Sequence, residues 1–252
     1  MGKLDSKVAI VTGAGRGVGR GIALSLAREG AAVVIAELIF ENAIAVAEEI
    51  KAFGGSALAV HCDVTSKDDV SRTVAATAAE FGTVDILVNN AQRWTIKPFI
   101  EMTDEDMRLT LDTGLWPTFW FMQACFPYLK EHGGKVINLG SGAGSRGLAN
   151  FACYAAAKEA IRALTRVAAL EWGKYDINVN CICPAADAPL MVQFARENPE
   201  VLQAFTRNPI PRLGSCENDI GPVALFLASQ DSNYVTGHTF WVDGGAAMDA
   251  GH

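Results

Sequence analysis

Short β-branched, apolar runs alternate along this chain with longer stretches whose apolar positions recur at helical spacing. The strand-like runs are Val8–Thr12, Ala32–Ala36, Leu58–Cys62, Ile86–Asn89, Lys135–Ser141, Asn178–Ile182 and His238–Val242. Helical patterns begin near Gly17, Glu41, Lys67, Asp104, Phe151 and Ile220. Strands that are apolar at nearly every residue need cover on both faces, and intervening helices supply it. The pattern therefore predicts an α/β fold over residues 1–252, a single domain with a parallel sheet and helices on both faces. No Pro/Ser-rich linker or internal repeat interrupts it. The segment from Pro184 to Pro211 is proline-rich with little periodicity, and reads as a mobile substrate lid over about residues 185–212.

Half of the residues are hydrophobic, enough to bury a large core. The balance of 28 acidic against 21 basic residues gives a formal charge of −7, which opposes a nucleic-acid or anionic-membrane surface. No apolar run reaches the ~18 residues of a membrane span. The N-terminus lacks the apolar region of about 7–15 residues that a signal peptide needs. Met1-Gly2 with Ser6 formally fits a myristoylation pattern, but the sequence runs straight into a strand, which favours a domain start. The six cysteines (62, 125, 153, 181, 183 and 216) are scattered through apolar segments without metal-ligand spacing. They read as reduced core thiols of a cytoplasmic protein with no metal.

The first strand runs into Thr12-Gly13-Ala14-Gly15-Arg16-Gly17-Val18-Gly19-Arg20, and a helix follows. Glycines at such a turn allow a tight bend and let a pyrophosphate approach the backbone and the helix N-terminus. The spacing through Gly13, Gly17 and Gly19 is TGxxxGxG, not GxGxxG. Glu37, at the end of the second strand, is placed to accept both ribose hydroxyls of an adenosine and to repel a 2′-phosphate. Arg16 argues the other way, since a guanidinium there can pair with that phosphate. The carboxylate decides for NAD over NADP.

Tyr154 and Lys158 stand four apart, on one face of a helix, and Ser141 closes a strand thirteen residues earlier. A tyrosine with an unperturbed pKa near ~10 is a poor base. A nearby ammonium and an oxidised nicotinamide favour its phenolate. A serine hydroxyl at the carboxyl end of a strand can hold the substrate oxygen.

Taken together, these residues resemble the short-chain dehydrogenase/reductase family across essentially the whole chain. The matching pieces are Thr12-Gly13-x-x-x-Gly17-x-Gly19, Cys62-Asp63-Val64, Asn89-Asn90-Ala91, Ser141 with Tyr154 and Lys158, Thr236-Gly237, and Val242-Asp243-Gly244-Gly245. The resemblance implies a seven-stranded Rossmann sheet, a homotetramer, and hydride transfer at nicotinamide C4 with Tyr154 as general acid/base. It implies that Lys158 binds the nicotinamide ribose, that Asp63 and Val64 flank adenine, and that Asn90 and Ala91 line the adenosine side. Gly13, Arg16, Gly17, Val18, Gly19, Glu37, Pro184 and Asp187 complete the expected cofactor contacts. The chain departs from the family pattern at Gln92 (usually glycine), Gly114 (usually the fourth catalytic residue, an asparagine that holds a relay water), Ala185 (usually glycine) and Pro189 (usually threonine).

Expected substrate contacts are Gln92, Trp94, Ala143, Ala185 and Leu190, with Phe194 and Phe205 on the lid and only Arg196, Arg207 and Arg212 as its bases. Trp116 and Trp120 read as core or subunit packing. These features predict reversible oxidation of a hydrophobic cyclic or aromatic secondary alcohol. The alternatives are an NADPH-dependent 3-oxoacyl reductase and an NAD-binding sensor that has lost turnover. A halohydrin-type lyase fits poorly, because the nucleotide turn and the lysine are both intact.

Overall fold

The computed structural model describes residues 2–197 and 208–247, apart from the side chains of Leu190 and Ala195. Strand β1 (Val8–Thr12) is buried at all five positions, and this double-sided burial places it in the middle of the sheet. It pairs in parallel with β2 (Ala32–Glu37) on one side and β4 (Ile86–Asn89) on the other. With β3 (Ser56–His61), β5 (Gly134–Leu139), β6 (Ile177–Pro184) and β7 (Thr239–Val242), the seven parallel strands run in the order β3-β2-β1-β4-β5-β6-β7.

Alternate residues of each strand serve opposite cores, as the two-residue strand period requires. Ala9, Val11, Val33, Ile35 and Val88 face helices α1 (Gly17–Arg28), α2 (Phe40–Ala52) and α9 (Gly221–Ala228). Ile10, Val34, Leu87, Val136 and Val179 face α3 (Lys67–Phe81), α5 (Trp116–His132) and α7 (Ala152–Trp172). The chain first winds outward from β1 through β3, then returns to place β4 beside β1. That reversal leaves a crevice beyond the carboxyl ends of β1 and β4, where ligands bind in open α/β sheets.

Local signals explain how the elements start. Ser66 caps α3 by accepting from the Asp69 amide, and Thr103 with Asp106 forms a reciprocal capping box on α4 (Asp104–Thr110). Between α4 and α5, Leu111–Leu115 widens into a π-helical turn. Strand β5 stops at Leu139, short of the expected Ser141, because Ser141 turns out to cap the short helix α6 (Gly142–Arg146).

The proline-rich segment also differs from expectation, since Pro189–Glu197 is helical (α8). Pro189 starts this helix, where proline is tolerated, and nine residues are too few to show a clear apolar repeat. Residues 198–207, including Phe205 and Arg207, and the terminal residues 248–252 lie outside the described residues. The ends of the segment are tied down by a parallel bridge between Ala186 and Gly214, and by the Asp187 carboxylate accepting from the Cys216 amide at 2.9 Å. All six cysteines are buried free thiols. Among the described residues no helix is long and apolar enough to cross a membrane.

Candidate active site

The crevice is built first by the turn after β1. The Thr12 hydroxyl accepts from the amides of Asn90 and Ala91, each at 3.0 Å. The Asn90 side chain donates to the carbonyls of Thr12 at 2.9 Å and Gly13 at 3.0 Å. The end of β4 thus clamps the glycine turn. Gly13 has φ of +61°, and a Cβ there would lie 2.9 Å from Ala91 Cα, so only glycine fits. Gly19 is held equally close, since its Cβ would sit 2.4 Å from the Gly13 carbonyl oxygen.

Unlike α3 and α4, helix α1 starts at Arg16 with no side-chain cap and no acid in its first turn. The leading amides, from Gly17, Val18 and Gly19, have no intrahelical acceptor and carry the positive end of the helix dipole. A glycine cradle against an uncapped helix N-terminus fits the pyrophosphate of a dinucleotide.

Glu37 stands at the end of β2 beside this turn. One carboxylate oxygen accepts from the Gly15 amide at 3.0 Å and the other from the Ile39 amide at 3.2 Å. Arg16 is exposed. Beyond β3, Asp63 accepts from both the amide and the hydroxyl of Thr65, and Val64 packs on the core next to it.

The reactive groups come from the ends of β5 and α7. The Ser141 hydroxyl accepts from the Ala143 amide at 3.1 Å, and it lies close enough to Tyr154 to favour the phenolate. Tyr154 and Lys158 lie one turn apart on α7, with the lysine nitrogen 5.5 Å from the tyrosine ring centre. Lys158 is 3% exposed and donates to the Leu139 carbonyl at 2.7 Å. Burial pushes the Tyr154 phenol up to about 12, partly offset by the Ser141 hydroxyl. Burial also lowers Lys158 to about 8. Both shifts are desolvation costs on the charged forms, so the pair is poised to respond to charge brought in by a ligand.

An aromatic wall surrounds the phenol. The Trp94 ring centre lies 4.9 Å from that of Tyr154, and Phe151 meets Tyr154 edge-on at 6.1 Å. Phe194 of α8 stands against Phe151 at 6.0 Å. Trp94, expected to contact substrate, lies against Tyr154. Phe151 was missed as a site residue; the available signal was an aromatic just ahead of the tyrosine helix.

Other expected residues fall as follows. Ala143 is buried just after Ser141, and Pro184 ends β6. The Ala185 amide donates to Val242, linking the site to β7. The Asp187 amide and carboxylate are both engaged, with Gly214 and Cys216. Leu190 lies on α8, its side chain outside the described residues. Gln92, read as a substrate contact, turns its carboxamide onto the π-helical turn and donates to the Thr110 carbonyl at 2.8 Å and the Arg93 carbonyl at 2.9 Å. Trp116 and Trp120 stack on each other at 6.0 Å along α5.

A separate 630 Å³ cavity opens at the opposite, amino end of the strands. Its buried amine, Lys135, is already bonded to Asn178 and Asn233, and none of the motif residues reaches it.

Comparison with known proteins agrees with this geometry. Residues 13–247 match a family model described as enoyl-(acyl carrier protein) reductase. The chain is 42% identical to a 12α-hydroxysteroid dehydrogenase of Clostridium sp. (strain ATCC 29733 / VPI C48-50), over 97% of this chain and 98% of that one. It is 38% identical to a galactitol 2-dehydrogenase of Agrobacterium fabrum (strain C58 / ATCC 33970), over 98% and 99%. The structure of a 7α-hydroxysteroid dehydrogenase complexed with NADH and 7-oxo glycochenodeoxycholic acid superposes with a TM-score of 0.91 at 36% identity, covering 96% of this chain and 94% of that one.

Proposed function

The chain belongs to the short-chain dehydrogenase/reductase family and is an oxidoreductase of secondary alcohols, and from that premise we propose that it uses NAD to oxidise, reversibly, a bulky apolar ring alcohol. The observation that carries the substrate class is the wall of Trp94, Phe151 and Phe194 around the Tyr154 phenol. An open-chain polyol needs many hydrogen-bond partners, whereas a fused alicyclic ring is matched by apolar surface and one polar anchor. The relative acting on a 12α-hydroxysteroid makes a hydroxysteroid the first compound to offer.

Each step assigns work to a residue of this chain. The Ser141 hydroxyl holds the alcohol oxygen, and Tyr154 removes its proton as general base. Lys158 supplies a positive charge beside the phenol. A nicotinamide bound beside Tyr154 would supply the hydride acceptor for the alcohol carbon. Gly13, Gly17, Val18 and Gly19 would hold the pyrophosphate, Asp63 and Val64 the adenine, and Asn90 and Ala91 the adenosine side.

NAD is favoured because Glu37 presents a carboxylate at the glycine turn, where it accepts ribose hydroxyls and repels a 2′-phosphate. Free thiols throughout suit a reducing compartment, and we place the protein in the cytoplasm. A homotetramer suits the apolar helix surfaces left uncovered, with Trp116 45%, Val167 52% and Leu170 86% exposed on α5 and α7.

The test is NADH formation from NAD with hydroxysteroids, cyclohexanols, aromatic carbinols and sugar alcohols, run beside Tyr154→Phe. Turnover of ring alcohols, lost in the variant, is expected. Preference for sugar alcohols would overturn the substrate class, and a preference for NADP would overturn the reading of Glu37.

A further inference from the structure

Arg146, at the end of α6, is an exposed guanidinium that the fold holds in place without giving it a counter-charge. Arg20, Arg28, Arg72, Arg108, Arg162 and Arg212 each face a carboxylate. Arg146 makes no ion pair among the described residues. Its Nε donates to the Gly142 carbonyl at 3.4 Å, and its Nη1 to the carbonyl of Ala246 in the turn after β7. Glu159, the acid of α7 that meets α6 at Gly144, is spent on Arg162 at 2.8 and 2.9 Å. Two carbonyls do not neutralise a full charge, and they leave both Nη2 hydrogens and one on Nη1 for a ligand.

The way the side chain folds back sets this charge at the reactive end of the cleft. Gly142 follows Ser141 directly, and a Cβ built on Gly142 would lie 3.0 Å from Arg146 Nη2 and 3.6 Å from Cζ. Residues four apart share a helix face, so the last residue of α6 reaches over its first. Consecutive Cα atoms stand about 3.8 Å apart, which keeps the guanidinium within about 10 Å of the Ser141 hydroxyl. The chain that continues from Arg146 carries Phe151, and its Asn150 carbonyl accepts from the Lys97 amide at 3.1 Å. That bond ties it to the loop bearing Trp94, so the guanidinium stands at the rim of the aromatic wall.

The charge of the whole chain sharpens the point. A formal charge of −7 repels anions over the surface at large, so capture of an acid needs a local, fixed cation. Arg93, beside Trp94, is also exposed and without an ion pair among the described residues. Arg146 differs from it in being anchored at two carbonyls, which removes most of the entropy lost when a long side chain grips a ligand.

Resting on the alcohol-oxidation reading above, we propose that the substrate is a ring alcohol that also carries a carboxylate, and that Arg146 binds this carboxylate. The ring skeleton lies against Trp94 and Phe151, with its carbinol on Ser141 and Tyr154 and its acid group on the guanidinium. A carboxylate accepts two parallel N–H bonds from such a fork, a geometry that fixes the direction of the ring as well as holding it. Arg146 is thus a specificity residue, selecting acids among the ring alcohols that the aromatic wall admits.

The test offers ring hydroxy acids, of one and of several fused rings, each beside its own primary amide, which has nearly the same shape and no charge. The wild type is expected to favour the acid by about tenfold or more in kcat/KM, expressed in KM. Arg146→Gln keeps a polar side chain but removes the charge, and is expected to bring the acid-to-amide ratio to about one. Arg146→Lys keeps the charge without the fork and is expected to fall between the two. An unchanged ratio in Arg146→Gln would overturn the proposal. So would a ratio that collapses in Arg93→Gln and survives in Arg146→Gln. A substitution that merely loosened the Ala246 turn would weaken acid and amide alike and leave the ratio standing.

Binding separates this proposal from the reading it rests on. Calorimetry of cyclohexanecarboxylate and cyclohexanecarboxamide, with and without NADH, needs no turnover. The acid is expected to bind the wild type about tenfold more tightly than the amide, and Arg146→Gln no more tightly. Equal binding of the two by the wild type would overturn the anchor. A wild type that prefers the acid yet oxidises no alcohol would count against the function reading alone.

Discussion

Replacing Lys158 by methionine tests how this site makes a base of tyrosine. Burial sets the Tyr154 phenol at about 12 in the ligand-free protein, so at pH 8 about one molecule in 10⁴ carries phenolate. A positive charge 5.5 Å from the ring, at an effective dielectric of about 20, favours the phenolate by about 3 kcal/mol, or about two pK units. The phenolate in turn holds the proton on Lys158, so the two groups titrate as a pair even though burial alone lowers the lysine to about 8. Oxidised nicotinamide, when bound, would add a second positive charge that favours the phenolate further. Removing the ammonium raises the phenol's pKa, and a raised pKa lowers the base fraction at fixed pH. Lys158→Met is therefore expected to lose about 100-fold in kcat at pH 8, and to shift the rising limb of its pH profile up by about two units. The assay is alcohol oxidation at saturating NAD from pH 6 to 10.5, with Lys158→Arg as the charge-retaining control. A rising limb left within half a unit of wild type would refute the electrostatic account.

Other parts of the site make simpler predictions. Gly19→Ala places a methyl 2.4 Å from the Gly13 carbonyl and should cost about 1–3 kcal/mol, read by urea unfolding, and weaken NADH binding measured by fluorescence. Glu37→Ser should raise the NADP/NAD ratio of kcat/KM by at least tenfold, because a charge that repels the 2′-phosphate is removed. Trp94→Ala should lower kcat/KM for fused-ring alcohols by roughly 5–100-fold while sparing small ones, as expected for lost apolar packing of a few kcal/mol. Asp219, beside Arg212, is held down to about 2. Its depressed pKa means that its stabilising effect is complete above the ordinary carboxylate value of ~3.9 and is lost as pH falls toward 2. Asp219→Asn should therefore flatten the melting temperature's dependence on pH across that acid range.

How far the sequence reveals this site depends on the distance over which each signal acts. The strands were legible because burial on both faces demands unbroken apolar runs, and β1 and β4 match expectation residue for residue. The glycine turn and the Ser141, Tyr154 and Lys158 set were legible because strand ends and helix spacing are local properties. Helix α8 was not, since nine residues following a proline carry too short a repeat. The aromatic wall was half legible: Trp94 lies in a loop known to border the site, but Phe151 reaches Tyr154 through the way α7 begins. Least legible was Gln92. In one dimension it read as a polar group free to meet substrate, and Gly114 read separately as a missing asparagine. Only the wide turn at Leu111–Leu115, where a Cβ added to Gly114 would lie 1.9 Å from the glutamine oxygen, shows that Gln92 fills the space left by the glycine. In one dimension Gly114, with Ala185 and Pro189, supports the alternative of a protein that has given up turnover. In space Gly114 is part of a packing exchange, its volume taken by the Gln92 carboxamide.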